Sequence, residues 1–442
     1  MWKTVSRAGE FKGETLNAQR RTLNVQIRSV VVRCPQRIVV RGRTRGYALR
    51  TSHATAFSAL DVERLALDVE RLALKTKNGN TGLIRLIREE IERQGPISFA
   101  QFMHHALYHP QHGYYSSARC AIGKSGDYFT NVSVGPLFGQ LLAVQFAEIW
   151  ARLGKFDNFV IVEQGAHDGQ FAYDVLEFLK KRAPEFFAVL RYRIVEPFPI
   201  LRDRQSLTLK PFREKIEWHN SLRPFAGVHF SNELLDAMPV RLISGGIEKF
   251  VDLDGDNFVL VEYPVSKPTE NNEASNQAAL NWIDDVAAKL QRGYVIVIDY
   301  GRVDPECQAN VQVRAQHRIL DSPFEQIGHA DITMHVDWPA IVERAQANGL
   351  RVAGFTGQHH FLIGIVSELW RPSSPEPPPA DWGQPPLADT PKTKRELQTL
   401  LHPEMLGRAF QVLALEKNVG PDASRLAGFK FAKSLMNGPG SS

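Results

Sequence analysis

The chain has 442 residues, of which 43% are hydrophobic and 23% are charged, proportions typical of a soluble globular protein with two or three domains. No apolar run approaches the roughly 18 residues that a membrane-spanning helix needs, so we expect no membrane partner. The three cysteines lie far apart and form no CxxC pair. This spacing argues against a disulfide scaffold and against a thiolate zinc site, and it favours a reducing compartment.

The net charge of +5 is unevenly distributed along the chain. Residues 1–80 contain 16 Lys and Arg against 6 Asp and Glu, a net charge of +10, so the remaining residues carry −5. The basic excess therefore belongs to the first 80 residues alone. A mildly acidic body does not predict nucleic-acid binding, and we expect no nucleic-acid partner.

Residues 1–80 are predicted to be a basic leader without ordered structure. Their Arg-rich, acid-poor composition is similar to that of an organelle transit peptide, but a disordered tail or translation from an upstream start codon would explain it equally. The heptad DVERLAL at 61–67 recurs unchanged at 68–74. Two heptads are too few for a coiled coil, and their identity favours a recent duplication. We therefore expect a bacterial-type cytoplasmic protein, with the mitochondrion as the alternative.

Residues 81–157 are predicted to form an N-terminal helical subdomain. Apolar side chains at helical spacing predict a helix over 81–94, which Gly95 and Pro96 end. A second helix is predicted over 98–109, with Ser98 as its cap and Pro110 as its stop. After a long loop through GYY at 113–115 and GKSGD at 123–127, an amphipathic helix is predicted over 136–153.

Residues 158–420 are predicted to form an α/β core. Strands and helices alternate, which favours a parallel, Rossmann-like sheet with helices on both faces. The predicted strands are 158–163, 191–196, 215–219, 227–232, 293–299, 352–356 and 409–415, with helices at 169–181 and 199–208. Hairpin-like strands in the insertion 240–275 predict a lid or substrate subdomain. Residues 371–391, with eight prolines, are predicted to be an extended loop, and 421–442 a flexible tail.

The strand ends of such a sheet are where ligands bind. The first strand ends in EQGAHDG, where Gly165 and Gly169 allow a sharp turn beneath a ligand. The GxGxxG pattern of a dinucleotide site is absent, and the acids Glu163 and Asp168 would repel a pyrophosphate. They favour a cationic ligand such as S-adenosylmethionine, although a tight turn without a ligand remains the alternative. Glu196, at the end of the second strand, could accept both hydroxyls of a ribose.

Several long motifs occur in the order found in the MidA-like methyltransferase family, which the chain resembles from about residue 83 to 416. They are GPISFAQFMHHALYHPQHGYY (95–115), GDYFTNVSVGPLFGQLLA (126–143), VEQGAHDGQ (162–170), IVEP (194–197), SNELLDAMPV (231–240), VIDYG (297–301), HADITMHVDW (329–338) and GQHHFL (357–362). The family includes the mitochondrial protein-arginine methyltransferase that assists assembly of respiratory complex I. The resemblance implies a methyltransferase fold, S-adenosylmethionine as cofactor and arginine of a protein partner as acceptor.

The resemblance and the strand-end positions together assign Gly165, Gly169 and Glu196 to the cofactor. Glu163 and Asp168 are placed at the same site. Family members often have a GPGRG-like turn where this chain has GAHDG at 165–169. Asp127 and Thr130, in the loop GDYFTN, are predicted to close over the methionine part of the cofactor, or alternatively to cap a helix.

Asn232, Glu233 and Asp236 are predicted to form the catalytic site. A guanidinium presents several planar N–H donors, so carboxylates are its natural clamp, and a carboxylate could also take the proton lost on transfer. The alternative is that Asn232 and Glu233 only cap the following helix. Asp299 and His335 are predicted to line the same mouth, with helix capping and a polar structural role as their alternatives.

The histidines at 104, 105, 109 and 112 carry no accompanying acid or cysteine in the sequence, so no metal site is predicted. The predicted function is a protein-arginine methyltransferase. A small-molecule methyltransferase is the second hypothesis. A catalytically silent assembly chaperone that keeps the fold is the third, favoured by the altered turn at 165–169.

Overall fold

The computed structural model describes residues 30–34, 37–41, 79–117, 130–265, 274–301, 311–369, 390–402, 406–407, 409–420 and 425–432. The chain divides into two compact units, Met1–Glu70 and Arg71–Ser442. In the first unit, strand β1 (Val30–Cys34) pairs antiparallel with β2 (Arg37–Arg41). This hairpin lies in the leader, for which we predicted no ordered structure. The repeated heptads lie outside the described residues.

The second unit begins with two helices that polar side chains cap. Helix α1 (Thr81–Gln94) starts after Asn80, whose side chain accepts a hydrogen bond from the Leu83 N–H at 3.1 Å. A short strand, β3 (Ile97–Ser98), leads into α2 (Phe99–Tyr108), and Ser98 accepts from the Gln101 N–H at 3.2 Å. Each cap satisfies a backbone donor that the first helical turn cannot. The predicted helices 81–94 and 98–109 are confirmed.

Seven strands form the central sheet, in the order β16-β17-β12-β7-β4-β5-β6. Their bounds are β4 (Val160–Gln164), β5 (Arg191–Val195), β6 (Ile216–His219), β7 (Phe225–Asn232), β12 (Leu290–Tyr300), β16 (Arg351–Gly357) and β17 (Phe410–Lys417). The five strands from β12 to β6 are mutually parallel. All seven predicted strands are present, which confirms the α/β fold class.

Strand β17 runs antiparallel to both of its neighbours, so the prediction of a sheet parallel throughout is wrong at this strand. Two helices, α10 (Gln358–Leu369) and α11 (Pro391–Leu401), separate β16 from β17. A single helix between two strands returns the chain to the edge where the first strand began, so the second strand runs parallel to the first. With two helices between them, β17 begins at the edge where β16 ends and runs antiparallel to it.

Helices cover both faces of the sheet, as predicted. The remaining helices are α3 (Asn131–Val134), α4 (Leu137–Arg152), α5 (Gln170–Arg182), α6 (Pro184–Val189), α7 (Pro199–Thr208), α8 (Gln277–Lys289) and α9 (Trp338–Ala347). On one face, Phe146 of α4 and Phe171 of α5 pack against Phe230 of β7 in one buried core. On the other face, α8 and α9 bury Ile283 and Ile341 in a second core. Helix α4 thus packs on the sheet, although the sequence-based boundaries placed it in the N-terminal helical subdomain.

The insertion forms a second sheet, in the order β10-β9-β8-β11 with β3 paired to β9. Its strands are β8 (Arg241–Ser244), β9 (Ile247–Asp254), β10 (Asn257–Pro264) and β11 (Ala274–Ser275). A smaller sheet contains β13 (Gln312–Ala315), β14 (Arg318–Ile319) and β15 (Asp331–Thr333). Phe102 of α2, Val251 of β9 and Ile332 of β15 share a third core. The insertion is therefore packed on the N-terminal helices. Within the described ranges, no helix has both the length and the apolar character needed to cross a bilayer.

Candidate active site

The turn after β4 has a backbone that side chains rarely tolerate. Gly165 and Gly169 have φ values of +83° and +84°, and His167 between them has +46°. These are left-handed values, which glycine adopts without steric cost. Gly169 is also the residue before α5, so the turn leads directly into a helix N-terminus, where backbone N–H groups point outward. The predicted sharp turn is thus present.

Gln205 connects this turn to Glu196. Its Nε2 donates to the carbonyl oxygen of His167 at 3.0 Å and lies 3.2 Å from Oε2 of Glu196. Its Oε1 accepts from Trp218 Nε1 at 2.9 Å, so the amide is fully oriented. Gln205 was not predicted from the sequence. It lies in α7, nine residues after Glu196, and belongs to no motif that could have identified it.

Glu196 lies just past the end of β5 and is 5% exposed. Its Oε1 accepts a hydrogen bond from the Phe198 N–H at 2.9 Å, and Oε2 is bonded by Gln205. Burial raises the pKa of this carboxyl, although both hydrogen bonds oppose the rise. A carboxylate can accept about four hydrogen bonds, so Glu196 retains capacity for a diol.

Glu163 is a buried carboxyl at the end of β4. The residue is 3% exposed, and its Oε2 accepts a hydrogen bond from the Tyr192 hydroxyl at 2.7 Å. Burial raises the pKa of Glu163 to about 8, so the carboxyl is protonated at neutral pH while no cation lies beside it. The predicted attraction of a sulfonium by Glu163 therefore requires the carboxyl to ionise on binding.

Asp168 is the acid of this turn that stays ionised. Its side chain is 50% exposed, and Oδ1 accepts from the Gln170 N–H at 3.1 Å. Partial burial alone would raise its pKa, but hydrogen bonds from His167 and Gln170 lower it overall. The negative charge beside the turn thus comes from Asp168.

Thr130 is the N-cap of α3 and is 5% exposed. Its Oγ1 accepts from the Ser133 N–H at 3.1 Å, while the Ser133 hydroxyl accepts from the Thr130 N–H at 2.9 Å. This reciprocal capping box uses the hydroxyl that we had assigned to the cofactor, and it matches the capping alternative. Asp127 lies outside the described residues.

A cavity of about 270 Å³ opens beside the end of β7. Its lining combines carboxyl groups with aromatic and basic side chains. The lining residues are Tyr115, Glu233, Asp236, Tyr300, Gly301, Gln312, Arg314, Asp331, Thr333, Met334, His335 and Ala409. Three predicted residues, Glu233, Asp236 and His335, are therefore brought together. A Cβ placed on Gly165 would lie 3.8 Å from the Asn232 carbonyl oxygen, so the turn after β4 adjoins this cavity's edge.

Glu233 combines a left-handed backbone conformation with a buried carboxyl group. Its φ is +52°, a left-handed value that costs energy for any residue with a side chain. Its Oε1 lies 3.3 Å from the Asn131 N–H and 2.9 Å from Asn232 Nδ2. Its Oε2 is shielded from solvent and has no hydrogen-bond partner among the described residues. Burial raises the pKa of Glu233 to about 8, and the nearby carboxylate of Asp299 adds to the rise.

Asp236 and Asp331 complete an acidic group with Glu233. Each is 4% exposed. Burial, together with the charges of Asp299, Asp331 and Glu233, raises the pKa of Asp236 well above its usual range. Asp331 accepts a hydrogen bond from the Tyr115 hydroxyl at 2.7 Å. Sequence reasoning missed Asp331 and Tyr115 because both lie far along the chain from β7.

Asp299 does not line the cavity, contrary to the prediction. It is fully buried, and its Oδ2 accepts from the N–H groups of Leu234 and Leu235 at 3.0 and 2.7 Å. Its Oδ1 accepts from the Tyr300 N–H at 2.7 Å. Three backbone donors therefore occupy this carboxylate. Asp299 fixes the chain that follows Glu233 and acts behind the site. It caps no helix there, because residues 233–240 form bends and turns, so the predicted helix after Glu233 is wrong.

The N-terminal histidines make local contacts. His105 Nε2 lies 2.8 Å from Glu90 Oε2, and the rings of His109 and His112 stack at 5.1 Å. Over the part of the chain that the structure describes, no three His, Cys, Asp or Glu side chains are arranged to hold a metal ion.

Comparison with known proteins agrees with this architecture. Residues 141–356 match the family model described as "Putative S-adenosyl-L-methionine-dependent methyltransferase". The mitochondrial protein arginine methyltransferase NDUFAF7 homolog of Drosophila melanogaster is 26% identical over 66% of this chain and 77% of its own length. Human NDUFAF7 is 26% identical over 66% of this chain and 76% of its own length.

A crystal structure from Burkholderia thailandensis, with S-adenosyl-homocysteine bound, is 28% identical to this chain. It superimposes with a TM-score of 0.68 over 79% of this chain and 95% of its own. The family model and this structure agree with S-adenosylmethionine as cofactor, and the superposition agrees with the fold. These comparisons identify an S-adenosylmethionine-dependent methyltransferase that is similar to the MidA-like family.

Proposed function

We propose that this methyltransferase transfers a methyl group to arginine on a protein partner. The observation that carries the proposal is the cavity beside β7, where Glu233, Asp236 and Asp331 present carboxyl groups and Oε2 of Glu233 is unpaired among the described residues. A guanidinium is a cation with five N–H donors, so it matches several converging carboxyl oxygens. The names of the curated relatives, which are protein arginine methyltransferases, support the same acceptor.

We propose that the turn after β4 and Glu196 hold the cofactor. The left-handed residues Gly165 and Gly169 fit a ligand that approaches the backbone closely, and Glu196 keeps acceptor capacity for ribose hydroxyls. Asp168 contributes the negative charge. The bound cofactor supplies an electrophilic methyl group on a sulfonium. In this assignment Glu163 and Thr130 support the site through packing and capping, and they make no cofactor contact.

The acceptor side performs two tasks in this proposal. Glu233 and Asp236 orient the guanidinium, and orientation of a nucleophile accounts for a large part of the rate of a two-body reaction. Glu233 is also placed to accept the proton that the nitrogen loses. Its pKa of about 8 falls when a cation binds beside it, because an adjacent positive charge favours the ionised carboxylate.

The acceptor is tested with purified full-length protein, labelled S-adenosylmethionine and two peptides that differ only in Arg or Lys at one position. We expect label on the arginine peptide alone, and a loss of rate of about 10²-fold or more in Glu233→Gln, which removes the base. Asp284→Asn, which changes a carboxylate paired with Arg344 on α9, serves as the control and should retain the rate. Equal labelling of both peptides would refute the arginine assignment.

The location is proposed to be a bacterial-type cytoplasm, with the mitochondrion as the alternative. The bacterial structure matches 79% of this chain at 28% identity, which supports the first, while the curated relatives are named mitochondrial, which supports the second. A fluorescent fusion to residues 1–80, expressed in eukaryotic cells, separates them. Mitochondrial import of this fusion would overturn the first assignment.

A further inference from the structure

Three side-chain amides form a chain of hydrogen-bond donors that ends on Glu233. Gln358 Nε2 donates to Asn131 Oδ1 at 2.8 Å, and Asn131 Nδ2 donates to Asn232 Oδ1 at 3.0 Å. Asn232 Nδ2 then donates to Glu233 Oε1 at 2.9 Å. Each amide donates its NH₂ to the next group, and the oxygens of Asn131 and Asn232 accept from the amide before. The orientation of all three is thereby fixed in one direction.

The Asn131 backbone N–H donates to the same oxygen of Glu233, at 3.3 Å. Both donors therefore converge on Oε1, while Oε2 is buried without a partner among the described residues, in a side chain that lines the cavity. We propose that Gln358 and Asn131 are positioning residues, which act through Asn232 to hold the Glu233 carboxylate with Oε2 available to the acceptor. This inference rests on the proposed role of Glu233.

The location of Gln358 argues against a purely structural role. Gln358 is the first residue of α10 and is fully buried, and its Nε2 also lies 3.4 Å from the Leu400 carbonyl oxygen of α11. Its own Oε1 is buried with no partner among the described residues. An unpaired buried carbonyl opposes folding, and this cost offsets part of the stability that the hydrogen bond to Asn131 contributes. The Gln358 amide is explained by the hydrogen bond that it donates to Asn131, which fixes the orientation of the Asn131 side chain.

The amide chain adds no charge to a site that already holds many ionisable groups. Asp236 and Asp331 line the cavity with Glu233, Asp299 lies behind it, and Tyr115, Tyr300, Arg314 and His335 line the remaining walls. Neutral amides can orient one carboxylate among these groups without changing the net charge. A charged residue in place of Gln358 could not.

The first test needs no acceptor. Carboxyl carbons are labelled in glutamate, the Glu233 signal is assigned from Glu233→Gln, and its pKa is measured by NMR titration in three proteins. We expect Gln358→Met to raise the pKa of Glu233 by about 0.5 or more, because the ionised carboxylate loses fixed donors. Gln145→Met is the matched control, since Gln145 is equally buried but bonds Glu148 and the Gly428 N–H. It should leave that pKa unchanged.

Thermal unfolding separates positioning from folding. We expect Gln358→Met to lower the midpoint less than Gln145→Met does. Gln358→Met leaves Asn131 Oδ1 without its donor but also removes an unpaired buried carbonyl, whereas Gln145→Met breaks the bonds of two paired amide groups. If Gln358→Met is unstable, Asn131→Ala interrupts the same chain one step later and should give the same rise in the pKa of Glu233. An unchanged Glu233 pKa in both variants overturns the proposal.

Kinetics with the arginine peptide give the second readout. We expect kcat of Gln358→Met to fall by about tenfold while KM changes by less than about threefold, since orientation is needed most in the transition state. The double variant Gln358→Met/Asn131→Ala should be no slower than the slower single variant, because both interrupt one chain. Additive losses overturn the proposal. A wild-type protein that labels no arginine peptide refutes the arginine assignment instead, and the titration still decides the role of Gln358.

Discussion

Removing the titratable group of Glu163 tests whether this buried acid is neutral. The carboxyl is 3% exposed and accepts a hydrogen bond from Tyr192, and burial raises its pKa from an ordinary 4.5 to about 8. Between these two pH values the folded protein keeps a proton that the unfolded chain has released. The free energy of unfolding therefore falls as the pH rises from about 4.5 to about 8.

The size of the effect follows from the same two pKa values. At about 1.4 kcal/mol for each pH unit, the complete loss is roughly 5 kcal/mol, an upper bound that local relaxation will reduce. Glu163→Gln removes the titration and keeps a group that can hydrogen-bond Tyr192. We expect the variant and the wild type to be equally stable near pH 5, and the variant to be more stable by about 2 kcal/mol or more at pH 8.

Urea unfolding at pH 5, 6, 7 and 8 measures the difference between the two proteins. Asp284→Asn is the control. Arg344 donates a hydrogen bond to this carboxylate and lowers the pKa of Asp284, so the group stays ionised from pH 5 to pH 8. Its removal should therefore change the free energy of unfolding by the same small amount at each of these pH values. Parallel loss of stability in the wild type and Glu163→Gln would show that Glu163 is ionised in the fold. The assignment of the negative charge to Asp168 alone would then be wrong.

Three further substitutions test the cofactor side. Glu196→Ala should fold and lose about tenfold to a hundredfold in affinity for S-adenosylhomocysteine by calorimetry, because charged hydrogen bonds contribute roughly 1.5–3 kcal/mol each; unchanged affinity would remove Glu196 from the ribose site. His167→Gly should leave the unfolding free energy unchanged or raise it by up to about 1 kcal/mol, since φ at 167 is +46°, a value that glycine adopts without strain. A fall in the unfolding free energy would show that the imidazole is needed. Thr130→Ala should cost about 1 kcal/mol of stability through its cap without changing that affinity; a weakened affinity would return Thr130 to the cofactor site.

Local patterns predicted the elements well because each element has a local physical cause. Asn80 and Ser98 cap their helices, and β4 and β7 are short apolar runs buried on both faces. The direction of β17 has no such cause. It depends on two helices between β16 and β17, and the predicted proline-rich loop at 371–391 covered part of that segment. Sheet topology is a property of the connections, which composition does not encode.

The site was predictable only where it lies at strand ends. Glu196, Glu233 and Gly165 follow strands directly, and the carboxyl ends of parallel strands meet at one edge. Asp331 and Gln358 are about 100 residues or more from β7 and reach the site through β15 and α10. Their partners are set by tertiary packing, so no spacing along the chain could reveal them. Glu163 and Asp299 also lie at strand ends, but their carboxyls accept hydrogen bonds from Tyr192 and from backbone amides, contacts that no strand-end position predicts.

If the acidic cavity binds the acceptor as proposed, it favours a cation, because its carboxyls do not ionise easily alone. Backbone amides stabilise the carboxylate of Asp299, whose pKa burial raises only to about 6. Glu233 accepts two hydrogen bonds, both on Oε1, and burial together with the charges of Asp299 and Asp331 raises the pKa values of Glu233 and Asp236 further. A neutral acceptor would leave the carboxyls of Glu233 and Asp236 protonated and would gain little binding free energy from them. A guanidinium offsets the repulsion between neighbouring carboxylates and supplies planar donors to the unpaired Oε2, so its binding and the ionisation of the site favour each other.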